Sequence, residues 1–269
     1  ILFKGQQSLE ILKISDKHNY ILWINFSAPS LGDSLMDLSS RVLLTNRKVD
    51  LVTNKKNANL YKNDLVFSSV YSDINDLVNK NYDLVIIDSY STRSIKIKTK
   101  VAKLKPFFGM YGYFNGPEVN RVLFSFHQMN SFIGYIKTES EINNMAKSSL
   151  SISIDDQKLI KKLELPINFI AIAIGGEWDY RTYKNWRKVI EILFLKDKSL
   201  QIILLGSDNA KETEKEILKH FSTSHLVSYV SKLTFNQTGE IIRKANVLLC
   251  CDGGLMHAAN ALDTRTIPL

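Results

Sequence analysis

Three short stretches of this chain set glycine beside charged side chains in a way suited to binding phosphate and moving a proton. The first is Ser27-Ala28-Pro29-Ser30-Leu31-Gly32-Asp33, where Gly32 permits a tight backbone turn and Asp33 opens the next element. A carboxylate at a helix start can cap backbone N–H groups or act as a general base, and position alone favours the cap. The second runs Gly175-Gly176-Glu177-Trp178-Asp179-Tyr180-Arg181-Thr182-Tyr183-Lys184-Asn185-Trp186. Its glycines let a ligand come close to the backbone, and Arg181 and Lys184 supply cations of the kind a diphosphate leaving group needs. For those cations a solvated surface role weighs equally, and Trp186 is expected to pack under the following helix rather than stack on a base.

The third stretch is Cys251-Asp252-Gly253-Gly254-Leu255-Met256-His257. Backbone amides at a glycine-rich helix start form an anion site through geometry and dipole. His257, one turn in, can face that site, although a lone helical histidine is more often structural. Between the last two stretches, Gly206-Ser207-Asp208 is a nucleoside contact or a plain turn with equal weight.

Each stretch follows an apolar run that reads as a strand, so all three fall at strand carboxyl ends, where open α/β sheets bind ligands. Residues 20–26 (YILWINF) predict the first strand, and the spacing of Leu35, Leu38, Val42 and Leu43 predicts a helix from Ser34. The alternation continues with strands over 49–53, 65–68 and 82–88 and helices over 57–61 and 74–79. The run at 82–88 is nearly all apolar, as in a parallel strand buried on both faces. Residues 106–136 are aromatic and less periodic, including Phe107, Tyr111, Tyr113, Phe114 and Phe126, and end in a helical segment.

The polar stretch before Pro166 reads as a linker, placed at 146–165 between an N-terminal domain, 1–145, and a C-terminal domain, 166–269. In the second domain strands are predicted over 169–174, 201–205 and 246–250, with helices through Val189 to Leu193 and over 212–220, 238–244 and 255–262. Both halves are doubly wound α/β units. Thr266 to Leu269 opens a further strand, so a C-terminal continuation is expected, and the start at Ile1 without an initial Met points to a trimmed N-terminus.

The bulk numbers narrow the function classes. With 45% hydrophobic and 23% charged residues the chain has an ordinary globular composition, which excludes a disordered or fibrous protein. No apolar run approaches the ~20 residues of a membrane span, and the first residues lack a secretory plan, so a cytoplasmic location is expected. Cys250 and Cys251 are adjacent, cannot staple the fold, and read as small buried hydrophobes. The net charge of +8 suits an anionic surface or substrate, but the lysines are scattered without an aromatic-interleaved stripe, so nucleic acid is not the expected partner.

Taken in order, the three stretches resemble the motifs of glycosyltransferase family 9, the lipopolysaccharide heptosyltransferases. Gly32-Asp33-Ser34-Leu35 is similar to its GD-x-L signature, and Gly175-Gly176 through Lys184-Asn185-Trp186 to its HPG…K-x-W loop. Asp252-Gly253-Gly254-Leu255-Met256-His257 is similar to its D-[ST]-G-x-x-H element. The chain departs from the pattern in having Ile174-Gly175 where His-Pro is usual and Gly253 where Ser or Thr is usual.

The resemblance implies the GT-B fold, two Rossmann-like domains with parallel sheets facing a central cleft. It implies an inverting, metal-independent transfer from a nucleotide sugar such as ADP-heptose to a lipid-linked oligosaccharide, by a monomer at the inner membrane face. Asp33 would then be the base, which reverses the preference for a cap, and Lys184 would bind the diphosphate. Gly175, Gly176, Arg181, Asp252, Gly253, Gly254, Leu255, Met256 and His257 would hold the donor, and Ser27, Ser30 and Gly32 would form the acceptor-side loop. No metal or resident cofactor is expected, in keeping with the lack of an Asp-x-Asp pair. Two other readings stand beside it: a UDP-sugar transferase or sugar-nucleotide epimerase on the same fold, and a non-enzymatic nucleic-acid binder or degenerate scaffold.

Overall fold

The apolar run at the start of the chain forms strand β1, Tyr20–Asn25, in which every residue after Tyr20 is buried. A strand covered on both faces cannot alternate polar with apolar, which is why Ile21 to Ile24 are all hydrophobic. The computed structural model describes residues 5–44, 46–111, 120–176, 178, 181–222 and 224–269. The chain forms two units, Ile1–Ser151 and Ile152–Leu269.

In the first unit β1 lies at the centre of a five-stranded sheet in which every pairing is parallel. Beside it are β2 (Lys48–Thr53) and then β3 (Phe67–Tyr71) on one side, and β4 (Leu84–Ser89) and then β5 (Phe107–Tyr111) on the other. The order β3-β2-β1-β4-β5 reverses direction between β1 and β4, so the loops leaving these two strands are neighbours. Helices α1 (Leu31–Asp37), α2 (Lys55–Tyr61), α3 (Thr92–Ala102), α4 (Arg121–Phe132) and α5 (Glu139–Met145) complete the unit. Leu22, Ile24, Val52, Val85, Ile87 and Ile95 join in one buried cluster between sheet and helices. At roughly 1.5–3 kcal/mol for each such side chain, this burial is the main term holding β1 and β4 together.

The second unit repeats the plan in a parallel sheet ordered β10-β9-β6-β7-β8. Its strands are β6 (Ile170–Ala173), β7 (Ile202–Leu205), β8 (Leu226–Ser228), β9 (Val247–Cys250) and β10 (Thr266–Pro268). Its helices are α6 (Ile154–Lys161), α7 (Trp186–Lys196), α8 (Lys211–His220), α9 (Phe235–Lys244) and α10 (Gly254–Ala261). Here the order reverses between β6 and β9, which makes the loops after those strands neighbours.

Several expectations are corrected. The predicted helix from Ser34 begins earlier, at Leu31, and is followed by a 3-10 segment, Ser39–Leu44. The helix expected over 74–79 is likewise a 3-10 turn, Ile74–Leu77. The strand expected over 65–68 is shifted to Phe67–Tyr71, because Leu65 is 99% exposed and belongs to a turn. Strands β5 and β8 have no counterpart in the sequence reading, since each is a short edge strand without a clear alternation.

The segment 146–165, expected to be a linker, carries structure on both sides of the division. Ser149 accepts from the buried Arg41 through its carbonyl at 2.9 Å and its hydroxyl at 3.0 Å, which ties it to the first unit. Arg41 in turn donates to the buried Asp64 at 2.6 and 2.9 Å. Helix α6 packs on the second unit through Ile160, fully buried against Ile241, Ile242 and Phe169, and Gln237 Nε2 donates to Asp156 at 2.9 Å. One buried residue per helix is too faint a pattern to distinguish from loop.

Candidate active site

Strand β1 ends where its chain meets a buried carboxylate. The backbone N–H groups of Phe26 and Ser27 both donate to Asp88 Oδ2, at 2.6 and 2.5 Å. Asp88 Oδ1 accepts from the Ser89 amide at 2.7 Å and the Ser94 hydroxyl at 2.6 Å. Burial pushes the Asp88 carboxyl up, and these four donors act against it. Because β1 and β4 are neighbours, Asp88 at the end of β4 pins the start of the Ser27–Asp33 loop, and the Ser27 and Ser89 hydroxyls share a hydrogen bond at 2.6 Å.

The loop then enters α1, and the structure settles what caps it. Ser30 is the N-cap: its Oγ accepts from the Asp33 amide at 3.2 Å and donates to Asp33 Oδ2 at 2.6 Å. Asp33 is therefore the third helical residue, not the cap, because Ser30 lies where the first free amides converge. Gly32 lies buried within α1, so it makes no tight turn; among the described glycines only Gly5 and Gly134 have positive φ.

The other oxygen of Asp33 meets a residue that sequence reasoning missed. Arg121 Nη1 donates to Asp33 Oδ1 at 3.3 Å, while Arg121 Nε donates to Asp37 Oδ1 at 2.5 Å. Asp37 is almost wholly buried, and burial lifts its carboxyl to about 6 although Arg121 pulls the other way. The Asp33 side chain keeps 23% exposure, so the carboxylate is supported yet reachable from solvent. Such a group can accept a proton from a hydroxyl brought to it. Ser27, Ser30 and Asp33 thus come together at one loop, with Asp88, Asp37 and Arg121 behind them.

In the second unit the loops after β6 and β9 meet, as the strand order requires. Arg181 Nη1 stands 3.4 Å from Asp252 Oδ2, and His257 Nε2 stands 3.9 Å from Asp252 Oδ1. Lys184 is exposed on the same loop as Arg181. Trp186, the first residue of α7, is fully buried with its ring against Tyr183, so it packs under the helix as expected. Glu177, Asp179 and Tyr180 of this loop, and Tyr113 and Phe114 of the aromatic stretch, lie outside the described residues.

The glycines here serve different ends. A Cβ on Gly176 would fall 2.5 Å from the Arg181 carbonyl oxygen, and one on Gly175 would fall 2.8 Å from Asn209 Oδ1. Close approach at these positions is made by the protein itself: Asn209 Nδ2 donates to the Gly176 carbonyl at 2.5 Å, joining the loop after β6 to the one after β7. Gly253 is the N-cap of α10, has extended backbone, and has nothing within 4 Å of where its Cβ would be. The Met256 and His257 amides both bond back to the Gly253 carbonyl, at 3.1 and 3.3 Å. The donors left at this helix start are thus the amides of Gly254 and Leu255, while the Leu255 and Met256 side chains pack against the core. Helix α10 therefore offers an anion two amides, with Arg181, Asp252 and His257 around them.

The sequence model of glycosyltransferase family 9 (heptosyltransferase) matches residues 113–269, more than half of the chain. The chain belongs to glycosyltransferase family 9. As a family 9 protein it is a glycosyltransferase, and the loops after β6 and β9 lie inside the matched region, whereas the Asp33 loop lies ahead of it. Among curated proteins, none matches this chain.

Solved structures agree on the fold of this family 9 glycosyltransferase. The glycosyl transferase family 9 structure from Veillonella parvula DSM 2008 aligns with a TM-score of 0.75 at 11% identity, over 94% of this chain and 82% of that one. E. coli ADP-heptose lps heptosyltransferase II aligns with a TM-score of 0.73 at 18% identity, over 92% and 83%. E. coli heptosyltransferase WaaC with ADP aligns with a TM-score of 0.68 at 17% identity, over 93% and 86%. The fold is GT-B, as the resemblance implied. Among the described residues no helix is long and apolar enough to cross a membrane.

Proposed function

We propose that this family 9 protein is an inverting, metal-independent glycosyltransferase that moves a heptose-like sugar from an ADP-sugar to an acceptor of the lipopolysaccharide or lipooligosaccharide type. The observation that carries the reading is Asp33: a partly exposed carboxylate at a strand end, with Ser30 on one oxygen and Arg121 on the other. In the reaction the Asp33 carboxylate takes the proton of the acceptor hydroxyl as its oxygen bonds to the anomeric carbon. The bond from that carbon to the diphosphate breaks, and the nucleoside diphosphate leaves with the electron pair.

The leaving charge is met by protein groups and needs no metal. Lys184 and Arg181 neutralise the diphosphate, the α10 amides of Gly254 and Leu255 receive its oxygens, and Asp252 and His257 hold the sugar. The name of one similar structure, an ADP-heptose lps heptosyltransferase, supports this choice of donor and acceptor. The net charge of +8 suits a monomer that works in the cytoplasm and meets its lipid-linked acceptor at an anionic membrane face.

The test pairs a variant with a ligand screen. Asp33→Asn is expected to lower turnover by about 10²–10⁴-fold while ADP still raises the melting temperature by mass action. Wild-type turnover in that variant removes Asp33 as the base. Stabilisation by UDP alone, with no response to ADP, overturns the donor assignment.

A further inference from the structure

We propose that Arg121 is the positioning residue for Asp33, bridging it to the buried Asp37 so that the carboxylate presents one fixed edge to the acceptor hydroxyl. This rests on the reading of Asp33 as the base and adds a residue that neither its spacing nor a motif marks.

Arg121 is held firmly by its surroundings. It is the first residue of α4, whose start is set by Asn120, with Oδ1 accepting from the Val122 and Leu123 amides at 2.9 and 3.3 Å. The helix is fastened beside α1 by the Ser125 hydroxyl, which donates to the Asp37 carbonyl at 3.0 Å and lies 2.8 Å from Ser40 Oγ. The Arg121 guanidinium lies over the Tyr111 ring, 5.5 Å from its centre, and its Nε is committed to Asp37. A group clamped on two sides has little freedom in where it points its remaining nitrogens. Nη1 reaches Asp33.

Asp33 needs such a partner. Near the start of a helix its side chain can turn back toward the free amides, which would take the carboxylate away from a substrate. Ser30 holds one oxygen but is itself the N-cap, so its hydroxyl is shared with the Asp33 amide. Arg121 holds the other oxygen from a separate helix. A lysine, with its single charged centre, cannot span two carboxylates in the way a planar guanidinium does. If Arg121 served only to pair Asp37, the contact with Asp33 would be idle, and this difference is what the experiment reads.

The test uses the full chain with ADP-heptose and a lipooligosaccharide acceptor. Arg121→Met is expected to lower kcat by about 10²-fold with the donor KM within about twofold, since the loss is of orientation at the reacting atom. Added guanidinium is expected to recover about tenfold of that loss, and Arg121→Lys to lie between the two. If Arg121→Met leaves Asp37 buried without its partner and does not fold, the pair Arg121→Met with Asp37→Asn carries the same readouts. An unchanged kcat overturns the proposal, and so does a loss that neither guanidinium nor Arg121→Lys restores in a variant that melts as the wild type. Asp33→Asn separates the two failures: if it is inactive while Arg121→Met is fully active, only the positioning role falls, and if it turns over normally, the base falls and takes this proposal with it.

Discussion

Arg181 and Asp252 form an ion pair at 3.4 Å although they lie on loops far apart in sequence. They meet because β6 and β9 are adjacent in the sheet, so the loops leaving their carboxyl ends share one edge. Both side chains are substantially exposed, which bears on what the pair is worth.

An exposed pair of this kind contributes at most about 1 kcal/mol to stability. Arg181→Met is therefore expected to melt within a few degrees of the wild type. Its effect should appear in ligand binding, where loss of one cation from the diphosphate weakens ADP by about tenfold, measured by calorimetry at fixed salt. Unchanged ADP affinity would remove Arg181 from the donor site.

Gly253 makes an opposite kind of prediction. Its backbone is extended and its Cβ position is empty, so serine fits without strain and can cap α10. Gly253→Ser is expected to change stability by only a few tenths of a kcal/mol, and to bind ADP as tightly as the parent or more tightly. A variant that folds but binds ADP at least tenfold more weakly would mean that this glycine keeps space for the ligand.

A pH test reads the interior of the first unit. Lys98 is fully buried, with Nζ donating to Gln6 Oε1 at 2.5 Å and to the Lys103 carbonyl at 3.1 Å. Burial pushes its ammonium down to about 8, below the value of an unfolded chain. Between those values the unfolded chain binds more protons, so this group's contribution to stability rises as pH rises through that window. Chemical denaturation at pH 7 and pH 10 should show the wild type gaining on Lys98→Met by about 2–3 kcal/mol. No difference between the two pH values would mean that Lys98 holds its proton as readily as an exposed lysine.

How much of this was legible beforehand depends on whether the signal was local. Near-continuous apolar runs such as Ile21–Ile24 and Leu84–Ile87 marked parallel strands, because burial on both faces leaves no polar position. From those strands the three loops with Asp33, Arg181 and Lys184, and Asp252 and His257 followed, since ligand loops leave strand carboxyl ends. The edge strands β5 and β8 and the helix α6 were not legible: β5 is wholly buried but lies within the long aromatic stretch 106–136 that shows no period, β8 has only three residues, and α6 has a single buried one.

Residue order and hydrophobic pattern by themselves determined two doubly wound halves and which loops carry the reactive side chains, because both rest on local periodicity. Only the tertiary structure decided that Ser30 and not Asp33 caps α1, that Asp88 holds the end of β1, and that Arg121 joins Asp33 to Asp37. Those contacts join residues up to 88 positions apart. They depend on which strands lie side by side and on which hydrogen bonds close once they do, and neither is written in the spacing of residues along the chain.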